Sequence, residues 1–127
     1  MSQASLATGI DMVEIDRLAA AIERHGQHFL DRIFTSVELA ECAGKAASLA
    51  ARFAAKEATV KALGTGIGPV GWREVELRYG LQKQPQLFLH GAAAIRAEAL
   101  GLNTWSVSIS HTSNLAVAMV TALGTGD

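Results

Sequence analysis

The alanine-rich segment at residues 46–63 limits the possible folds more than any other part of the sequence. Alanine is the best helix former, and the glycine that follows, Gly64, is typical of a helix C-terminus. The segment therefore predicts one long helix. Its middle nevertheless carries Lys56, Glu57 and Lys61, which a purely apolar core helix would not contain. A solvent-exposed helix, in turn, would not be so rich in alanine.

The chain before this helix predicts a strand followed by short helices. Residues 6–15 alternate loosely between apolar and polar side chains, which predicts a strand that carries Asp11. Asp16 is expected to cap a helix that Gly26 ends. Residues 27–34 are expected to form a second short helix.

A third short helix is predicted from Thr35, because Glu38 three residues later completes the pattern of a capping box. The chain after the long helix shows mainly the alternation of strands. Strands are predicted at residues 71–80, 84–91, 104–112 and 114–123, and a helix at residues 92–101. This order of elements predicts an α+β fold in one domain spanning residues 1–127.

Composition excludes several classes of protein. The 127 residues suit one domain, and the formal net charge of −1 argues against binding to nucleic acid or membrane through overall charge. The N-terminus resembles no signal peptide, and no apolar run approaches a membrane span, so we expect a cytoplasmic protein. The single cysteine, Cys42, cannot form an intrachain disulfide, and we expect it to be a small buried residue rather than a nucleophile.

The charged residues of the long helix have a simple interpretation and a functional one. Phe53, Glu57 and Lys61 recur every four residues and share one face, so Glu57 and Lys61 could simply form a surface ion pair. Alternatively, Glu57 and Asp11 converge where the helix packs on the strand. Two carboxylates would suit Mg²⁺, which takes one or two carboxylates together with waters and phosphate oxygens. Lys61 could then reach the same phosphates.

Two further features are ambiguous from the sequence alone. The glycines at residues 64–68 would let a ligand approach the backbone closely, but a helix end followed by a turn is the better explanation of them. His111 follows a predicted strand, where a lone histidine is commonly an exposed or hydrogen-bonded residue.

Three motifs together resemble one family. The stretches "GIDMVEIDR", "RFAAKEATVKALGTGIG" and "VSISHT" occur in the order and at the separations typical of the holo-acyl-carrier-protein synthases, which are small 4′-phosphopantetheinyl transferases. The stretch "FTSVELAEC" also fits. The resemblance covers most of the chain. One departure is Ala7, which stands where the family usually has a glycine, while Gly9 and Asp11 match.

The resemblance implies a reaction, a metal and a fold. The family transfers the phosphopantetheine arm of coenzyme A to a serine of an acyl carrier protein, releasing adenosine 3′,5′-bisphosphate. Its fold is a small antiparallel sheet packed on a long helix. By matching motifs, Asp11 and Glu57 are the expected Mg²⁺ ligands, and Lys61 is the expected partner of the coenzyme's phosphates. Catalysis of this kind is mainly positioning and charge stabilisation. Either Glu57 or a metal-bound water is expected to accept the proton of the serine.

Further residues of the coenzyme A site are implied by the same motifs, and these are Arg52, Gly64, His111 and Thr112. For the carrier protein, which is acidic, the expected partners are Arg17 and Arg24. These arginines are seven residues apart and would share one helix face. The family is commonly trimeric, so we expect a homotrimer with sites built between subunits.

Two other functions are compatible with parts of the sequence. A non-catalytic coenzyme A-binding or trimeric scaffold module would keep the fold without turnover, but it has no use for the pair of Asp11 and Glu57. A metal-dependent nucleotide phosphatase would release adenosine bisphosphate without any carrier. Transfer to a carrier protein distinguishes both from the expected transferase.

Overall fold

The computed structural model describes residues 4–125 and has the α+β architecture expected from the sequence. The elements, in chain order, are β1 (Ser5–Glu14), α1 (Ile15–Ile33), α2 (Ser36–Cys42), α3 (Ala46–Leu63), a 3₁₀ turn (Trp72–Glu74), β2 (Val75–Tyr79), β3 (Pro85–Leu89), α4 (Gly91–Ala99), β4 (Thr104–His111) and β5 (Leu115–Gly124).

The strands form two antiparallel sheets. The larger has the order β1-β5-β4, and the smaller pairs β2 with β3. Helix α3 packs against β1 and β5 through small side chains, since Ala54, Ala55 and Ala58 meet Ala118 and Val120 in one buried cluster. Small residues let the helix axis approach the sheet closely, which explains why the helix is so rich in alanine.

The opposite face of the larger sheet is apolar and exposed. Leu6 is 71% exposed, Ile10 58%, Met12 62%, Met119 51% and Leu123 42%. Cross-strand pairing joins them, because Leu6 lies opposite Leu123 and Ile10 lies opposite Met119. We call these five residues the apolar sheet face.

Helix α1 differs from the prediction at its start and agrees with it at Gly26. Glu14 rather than Asp16 is the N-cap, without a side-chain cap, and Asp16 lies in the first turn. A carboxylate there still interacts favourably with the helix dipole. Gly26 has the left-handed φ of 67° and a ψ of −151°, so it breaks the helix between the two segments that the sequence predicted.

The predicted boundaries of α2 and α3 are confirmed. Thr35 accepts a hydrogen bond from the Glu38 amide at 3.2 Å, and Glu38 accepts one from the Thr35 amide at 2.9 Å, completing the capping box. Gly64 ends α3 with a left-handed φ of 74°. The strand predicted at residues 71–80 begins only at Val75, because the preceding residues form the 3₁₀ turn.

The cation in the middle of α3, Lys56, is fully buried. Its Nζ donates to Glu38 Oε1 at 2.7 Å, to the Val75 carbonyl at 2.5 Å and to the Trp72 carbonyl at 3.0 Å. Burial lowers the pKa of Lys56, while the negative charge of Glu38 raises it in part. Three acceptors use all three N–H groups of an ammonium, so a charged residue is fully satisfied inside the core.

Arg52 makes a similar set of contacts one turn earlier. It is 1% exposed, pairs with Glu41 at 2.6 Å and donates to the Leu77 carbonyl at 3.4 Å. Glu38 in turn accepts the Leu77 amide at 2.9 Å, and Glu41 accepts the Tyr79 amide at 3.3 Å. Side chains of α2 and α3 thus bond the edge of β2 that β3 leaves free, so charged side chains of both helices take the place of a neighbouring strand.

A further buried charge, Glu76, links the smaller sheet to two helices. Burial alone would raise its pKa, but hydrogen bonds from Thr35 at 2.5 Å, His90 at 3.0 Å and Arg78 at 2.9 Å outweigh burial and lower the pKa to about 2. The ionised carboxylate therefore holds together the start of α2, strand β2 and the start of α4.

Among residues 4–125, no helix combines the length and apolar character that crossing a membrane requires.

Candidate active site

The site is built where β1 crosses α3 at unusually short range. A Cβ placed on Gly9 would lie 1.8 Å from the carbonyl oxygen of Ala58, so only glycine fits between strand and helix at this point. Asp11 follows two residues later on the same strand. The close approach at Gly9 therefore sets the distance between Asp11 and the side chains of α3.

Lys61 of α3 pairs with Asp11 across this contact. Its Nζ donates to Asp11 Oδ1 at 3.0 Å and to the Ile10 carbonyl at 2.9 Å. The side chain of Lys61 is 51% exposed and that of Asp11 is 18% exposed. Lys61 therefore pairs with Asp11 of the strand, and not with Glu57 of its own helix as the simple interpretation of the sequence suggested.

Glu57, one turn before Lys61, shares a cavity with Asp11. The cavity has a volume of about 640 Å³, and both carboxylates line it. Burial raises the pKa of Glu57, the negative charge of Asp11 raises it further, and Lys61 lowers it in part. Two carboxylates that repel each other beside one cavity, with a lysine in reach, form a site that favours a bound cation.

The remaining walls of the cavity are two arginines, a further carboxylate and a set of apolar side chains. Arg17 and Arg32 of α1 contribute positive charge. Phe53 and Trp72 form an aromatic wall, with ring centroids 4.7 Å apart and an interplanar angle of 32°. The other lining residues are Met12, Val13, Glu14, Leu18, Ala21, Phe29 and Ile33. The cavity therefore offers both signs of charge at an otherwise apolar surface.

The donor set of this cavity fits a magnesium ion better than a transition metal. Within residues 4–125 no group of three or more His, Cys, Asp or Glu side chains is arranged to hold a metal. Zinc sites commonly need three or four such ligands, whereas Mg²⁺ is held by one or two carboxylates plus waters and substrate phosphates. The pair of Asp11 and Glu57 meets the second requirement only.

The predicted coenzyme residues do not all lie at this cavity. Arg52 is buried and bonded to Glu41 and Leu77, as described above, and the ring of Tyr79 lies 4.8 Å from its guanidinium carbon. Gly64 is the exposed end of α3, and its amide donates to the Lys61 carbonyl at 3.1 Å. Their assignment to a coenzyme site stays a prediction.

His111 and Thr112 lie in and beside the β4–β5 turn, at the other end of α3 from Gly64. Both are exposed, and Thr112 Oγ1 accepts the Leu115 amide at 3.1 Å. The Asn114 carbonyl accepts the Ile15 amide at 2.9 Å, which holds the turn beside the start of α1. Ile15 packs in the cluster that contains Ala51. From Ala51 to Gly64 α3 rises by roughly 20 Å, so one chain does not bring these predicted residues together.

Both predicted carrier-binding arginines are exposed on α1. Arg17 lines the cavity, has a side chain that is 83% exposed and lies 3.8 Å from Glu14. An exposed pair at that distance contributes little to stability, so Arg17 is available for a partner. Arg24 is exposed outside the cavity lining.

Arg32 and Trp72 also line the cavity, and neither could be identified as a site residue from the sequence. The helical spacing that linked Arg17 to Arg24 does not extend to Arg32, because Gly26 interrupts the helix between them. The sequence predicts Trp72 in a strand, where alternation would decide the face on which its side chain lies. In the structure Trp72 belongs to a 3₁₀ turn instead, so this alternation does not apply to it.

Cys42 is buried, as expected from the sequence. Burial raises the pKa of its thiol to about 11, and the nearby Arg52 only partly opposes this. A neutral, inaccessible thiol is a poor nucleophile, which argues against a catalytic role.

Known proteins of similar sequence belong to one family. Residues 7–120 match the model of the 4′-phosphopantetheinyl transferase superfamily. The holo-[acyl-carrier-protein] synthase of Herpetosiphon aurantiacus is 48% identical over 126 residues, which cover 94% of this chain and 99% of that protein. The corresponding protein of Koribacter versatilis is 46% identical over 119 residues, with 91% and 95% covered.

Solved structures show the same similarity. The crystal structure of Helicobacter pylori holo-[acyl-carrier-protein] synthase in complex with coenzyme A matches with a TM-score of 0.83 and 31% identity, covering 91% of this chain and 98% of that one. The Neisseria meningitidis synthase also has a TM-score of 0.83, at 37% identity and with 91% and 96% covered. The predicted fold, with its small antiparallel sheet on a long helix, is thereby confirmed.

Proposed function

The chain belongs to the 4′-phosphopantetheinyl transferase superfamily, among the holo-[acyl-carrier-protein] synthases, and we propose that it transfers the 4′-phosphopantetheine arm of coenzyme A to a serine of an apo acyl carrier protein. The products are the holo carrier and adenosine 3′,5′-bisphosphate. The observation that carries this proposal is the meeting of Asp11 and Glu57 at one cavity, with Lys61 paired to Asp11.

Asp11 and Glu57 are the residues that would hold Mg²⁺. Their fit to a divalent cation rests on the donor set: two carboxylates face the same cavity, and the charge of Asp11 raises the pKa of Glu57. When bound, Mg²⁺ supplies positive charge that offsets the negative charge of the diphosphate.

Lys61 would contribute charge to the same reaction. The side chain is half exposed and its ammonium already lies at the carboxylate of Asp11, so a phosphate oxygen that approaches Asp11 would meet a cation held beside it. Positive charge placed before the reaction stabilises the charge that develops on the leaving oxygen. Lys61 therefore orients the diphosphate and stabilises the leaving group.

The serine of the carrier attacks the phosphorus that bears the pantetheine. A new serine O–P bond forms, and the P–O bond to adenosine 3′,5′-bisphosphate breaks. The hydroxyl proton needs an acceptor within hydrogen-bond reach, and Glu57 at the cavity wall is suited to accept it. The raised pKa of Glu57 favours this role, since a carboxylate with a higher pKa is a stronger base.

The carrier protein would dock on α1. Arg17 and Arg32 line the cavity and Arg24 is exposed on the same helix, so an acidic partner would meet three cations on α1. Such an arrangement steers an oppositely charged partner and accelerates association.

A homotrimer is the proposed assembly, and two observations support it. The apolar sheet face exposes five large side chains on neighbouring strands, which is unusual for a monomer in water. The predicted coenzyme residues Gly64 and His111 lie at opposite ends of α3, so a second copy would be needed to complete one coenzyme site. We expect the protein to act in the cytoplasm.

Intact-mass measurement of an apo acyl carrier protein tests the transfer directly. After incubation with this chain, coenzyme A and Mg²⁺, the carrier should gain the mass of one phosphopantetheine. A carrier whose acceptor serine is replaced by alanine is the control and should gain nothing. No gain with several carriers would favour the alternative of a non-catalytic coenzyme A-binding or scaffold module.

A further inference from the structure

Trp72 forms a part of the cavity wall that packs against α3 through Phe53. It lines the cavity together with Glu57 and Phe53, and its ring packs on that of Phe53 with centroids 4.7 Å apart. Trp72 belongs to a 3₁₀ turn of only three residues rather than to a strand. So short a turn has few backbone hydrogen bonds of its own, and its position depends on outside contacts.

One of these contacts comes from the residue next to Glu57. The Trp72 carbonyl accepts a hydrogen bond from Lys56 Nζ at 3.0 Å. The same ammonium donates to Val75, where β2 begins directly after the turn, and to Glu38 of α2. Lys56 therefore bonds both ends of the turn to the helix that carries Glu57.

The Lys56 contacts cannot be exchanged for water. The side chains of Lys56 and Glu38 are both 0% exposed, and all three donors of the ammonium are used. A shift of the turn would leave a buried charge or a buried carbonyl without a partner, which is strongly unfavourable. The distance between the Trp72 wall and Glu57 is thereby fixed.

We propose that Lys56 is a positioning residue for the transfer reaction, because it holds Trp72 and thus the cavity wall at a set distance from Glu57. This inference rests on the proposed function for its effect on turnover. Misplacing a reacting group by about 1 Å can cost on the order of 100-fold in rate. Lys56 does not line the cavity, so its effect on the cavity wall would pass through the turn that carries Trp72.

The test uses a background in which Trp105→Phe leaves Trp72 as the only tryptophan, since the sequence contains two. Trp105 lines a different cavity, so this background should keep wild-type turnover. In it, Lys56→Met is combined with Glu38→Gln, so that no unpaired charge stays buried. We expect kcat to fall by about 10- to 100-fold with a much smaller change in the KM for coenzyme A. Acrylamide quenching of Trp72 fluorescence should rise clearly.

The matched control is Thr59→Val in the same background. Thr59 is buried on the same helix, and its hydroxyl donates to the Ala55 carbonyl at 2.7 Å without reaching the turn. We expect the control to lower Tm while kcat and Trp72 quenching stay at the background values. If the Lys56→Met and Glu38→Gln variant behaves like this control, Lys56 is merely structural and the proposal is wrong.

A second pair of variants decides the matter if the double variant does not fold. Trp72→Phe keeps aromatic packing on Phe53, and Trp72→Ala removes it. We expect the first to keep most of the wild-type kcat and the second to lose it, whereas wild-type kcat in Trp72→Ala would overturn the proposal. A wild-type chain without transfer activity would refute the proposed function only, because the quenching comparison still shows whether Lys56 holds the wall.

Discussion

Replacing Gly9 by alanine should separate β1 from α3 and thereby disable the site. The added Cβ would lie 1.8 Å from the Ala58 carbonyl oxygen, 2.8 Å from its carbon and 3.0 Å from the Ala62 nitrogen. All three atoms are backbone atoms inside a helix, so none can move aside by changing a rotamer. The strand itself has to move.

The size of the movement follows from the contact distances. Ordinary contacts of a Cβ begin at 3.4 Å, so the distance of 1.8 Å at Gly9 has to grow by about 1.6 Å. Overpacking of this kind costs about 1–3 kcal/mol, and each kcal/mol lowers Tm by about 4 °C in a domain of this size. Asp11 would move with the strand, and a displacement of about 1 Å costs on the order of 100-fold in rate.

The assay measures Tm by circular dichroism and kcat by transfer to an apo carrier, at a temperature well below the Tm of the variant. Gly124→Ala provides a matched control, because its Cβ would lie 1.5 Å from the Gly101 carbonyl oxygen, far along the sheet from Asp11. The control should lose a similar amount of stability and keep nearly wild-type kcat per folded molecule.

A Gly9→Ala variant that folds with wild-type Tm and turnover would refute the claim that this contact sets the site. Equal losses of kcat in Gly9→Ala and Gly124→Ala would also contradict it, because general destabilisation would then explain both variants.

Three further predictions concern the carrier, acid stability and the thiol. Arg17→Glu should raise the KM for the carrier about tenfold and leave the KM for coenzyme A almost unchanged. Added salt should diminish this difference between variant and wild type, because it screens exposed charges. Equal changes in both KM values would contradict docking on α1. The folded-state pKa of Glu76 is about 2, below the ordinary 4.5, so its stabilisation is present above pH 4.5 and is lost as pH falls toward 2. The free energy of unfolding, measured with urea, should therefore decrease between pH 6 and pH 3 by about 2 kcal/mol less in Glu76→Gln than in wild type. An equal decrease in both proteins would refute this. Cys42, with its pKa raised to about 11 by burial, should react with a thiol reagent at pH 8 only after unfolding, so rapid reaction of the folded protein would count against its burial.

Features with a local chemical signal could be predicted from the sequence. Thr35 and Glu38 lie three residues apart and cap each other, and Gly64 supplies the left-handed residue that ends α3. Alternation of apolar side chains also predicted the last two strands and their turn. In each case the residues that determine the structure are neighbours in the chain.

Features that depend on distant partners could not be predicted. The sequence places Lys56 and Arg52 on a helix, but their burial depends on carboxylates of α2 and on the free edge of β2. Asp16 has the side chain of an N-cap, yet Glu14 occupies that position. We attribute this to the Ile15 amide, which donates to the carbonyl of Asn114 in the distant β4–β5 turn and fixes where the helix begins.

The candidate site was predictable in part. An aspartate on an apolar strand and a glutamate on an alanine-rich helix allowed either a surface ion pair or a metal site, and the resemblance of the motifs favoured the metal site. The structure places Asp11 and Glu57 at one cavity. The partner of Lys61 was not evident, because its pairing with Asp11 requires the crossing geometry of β1 and α3. Arg32 was missed because it lies beyond the break at Gly26, where the helical spacing of Arg17 and Arg24 no longer applies.

The most direct test is the rate of phosphopantetheine transfer as a function of Mg²⁺ concentration, compared between wild type, Asp11→Asn and a control, Asp16→Asn. Asp16 is an exposed carboxylate on α1 that does not line the cavity. If Asp11 and Glu57 hold the metal, Asp11→Asn should require at least about tenfold more Mg²⁺ for half-maximal rate and reach a lower maximum, while Asp16→Asn follows the wild-type curve. Overlapping curves for Asp11→Asn and wild type would show that the two carboxylates do not form the metal site.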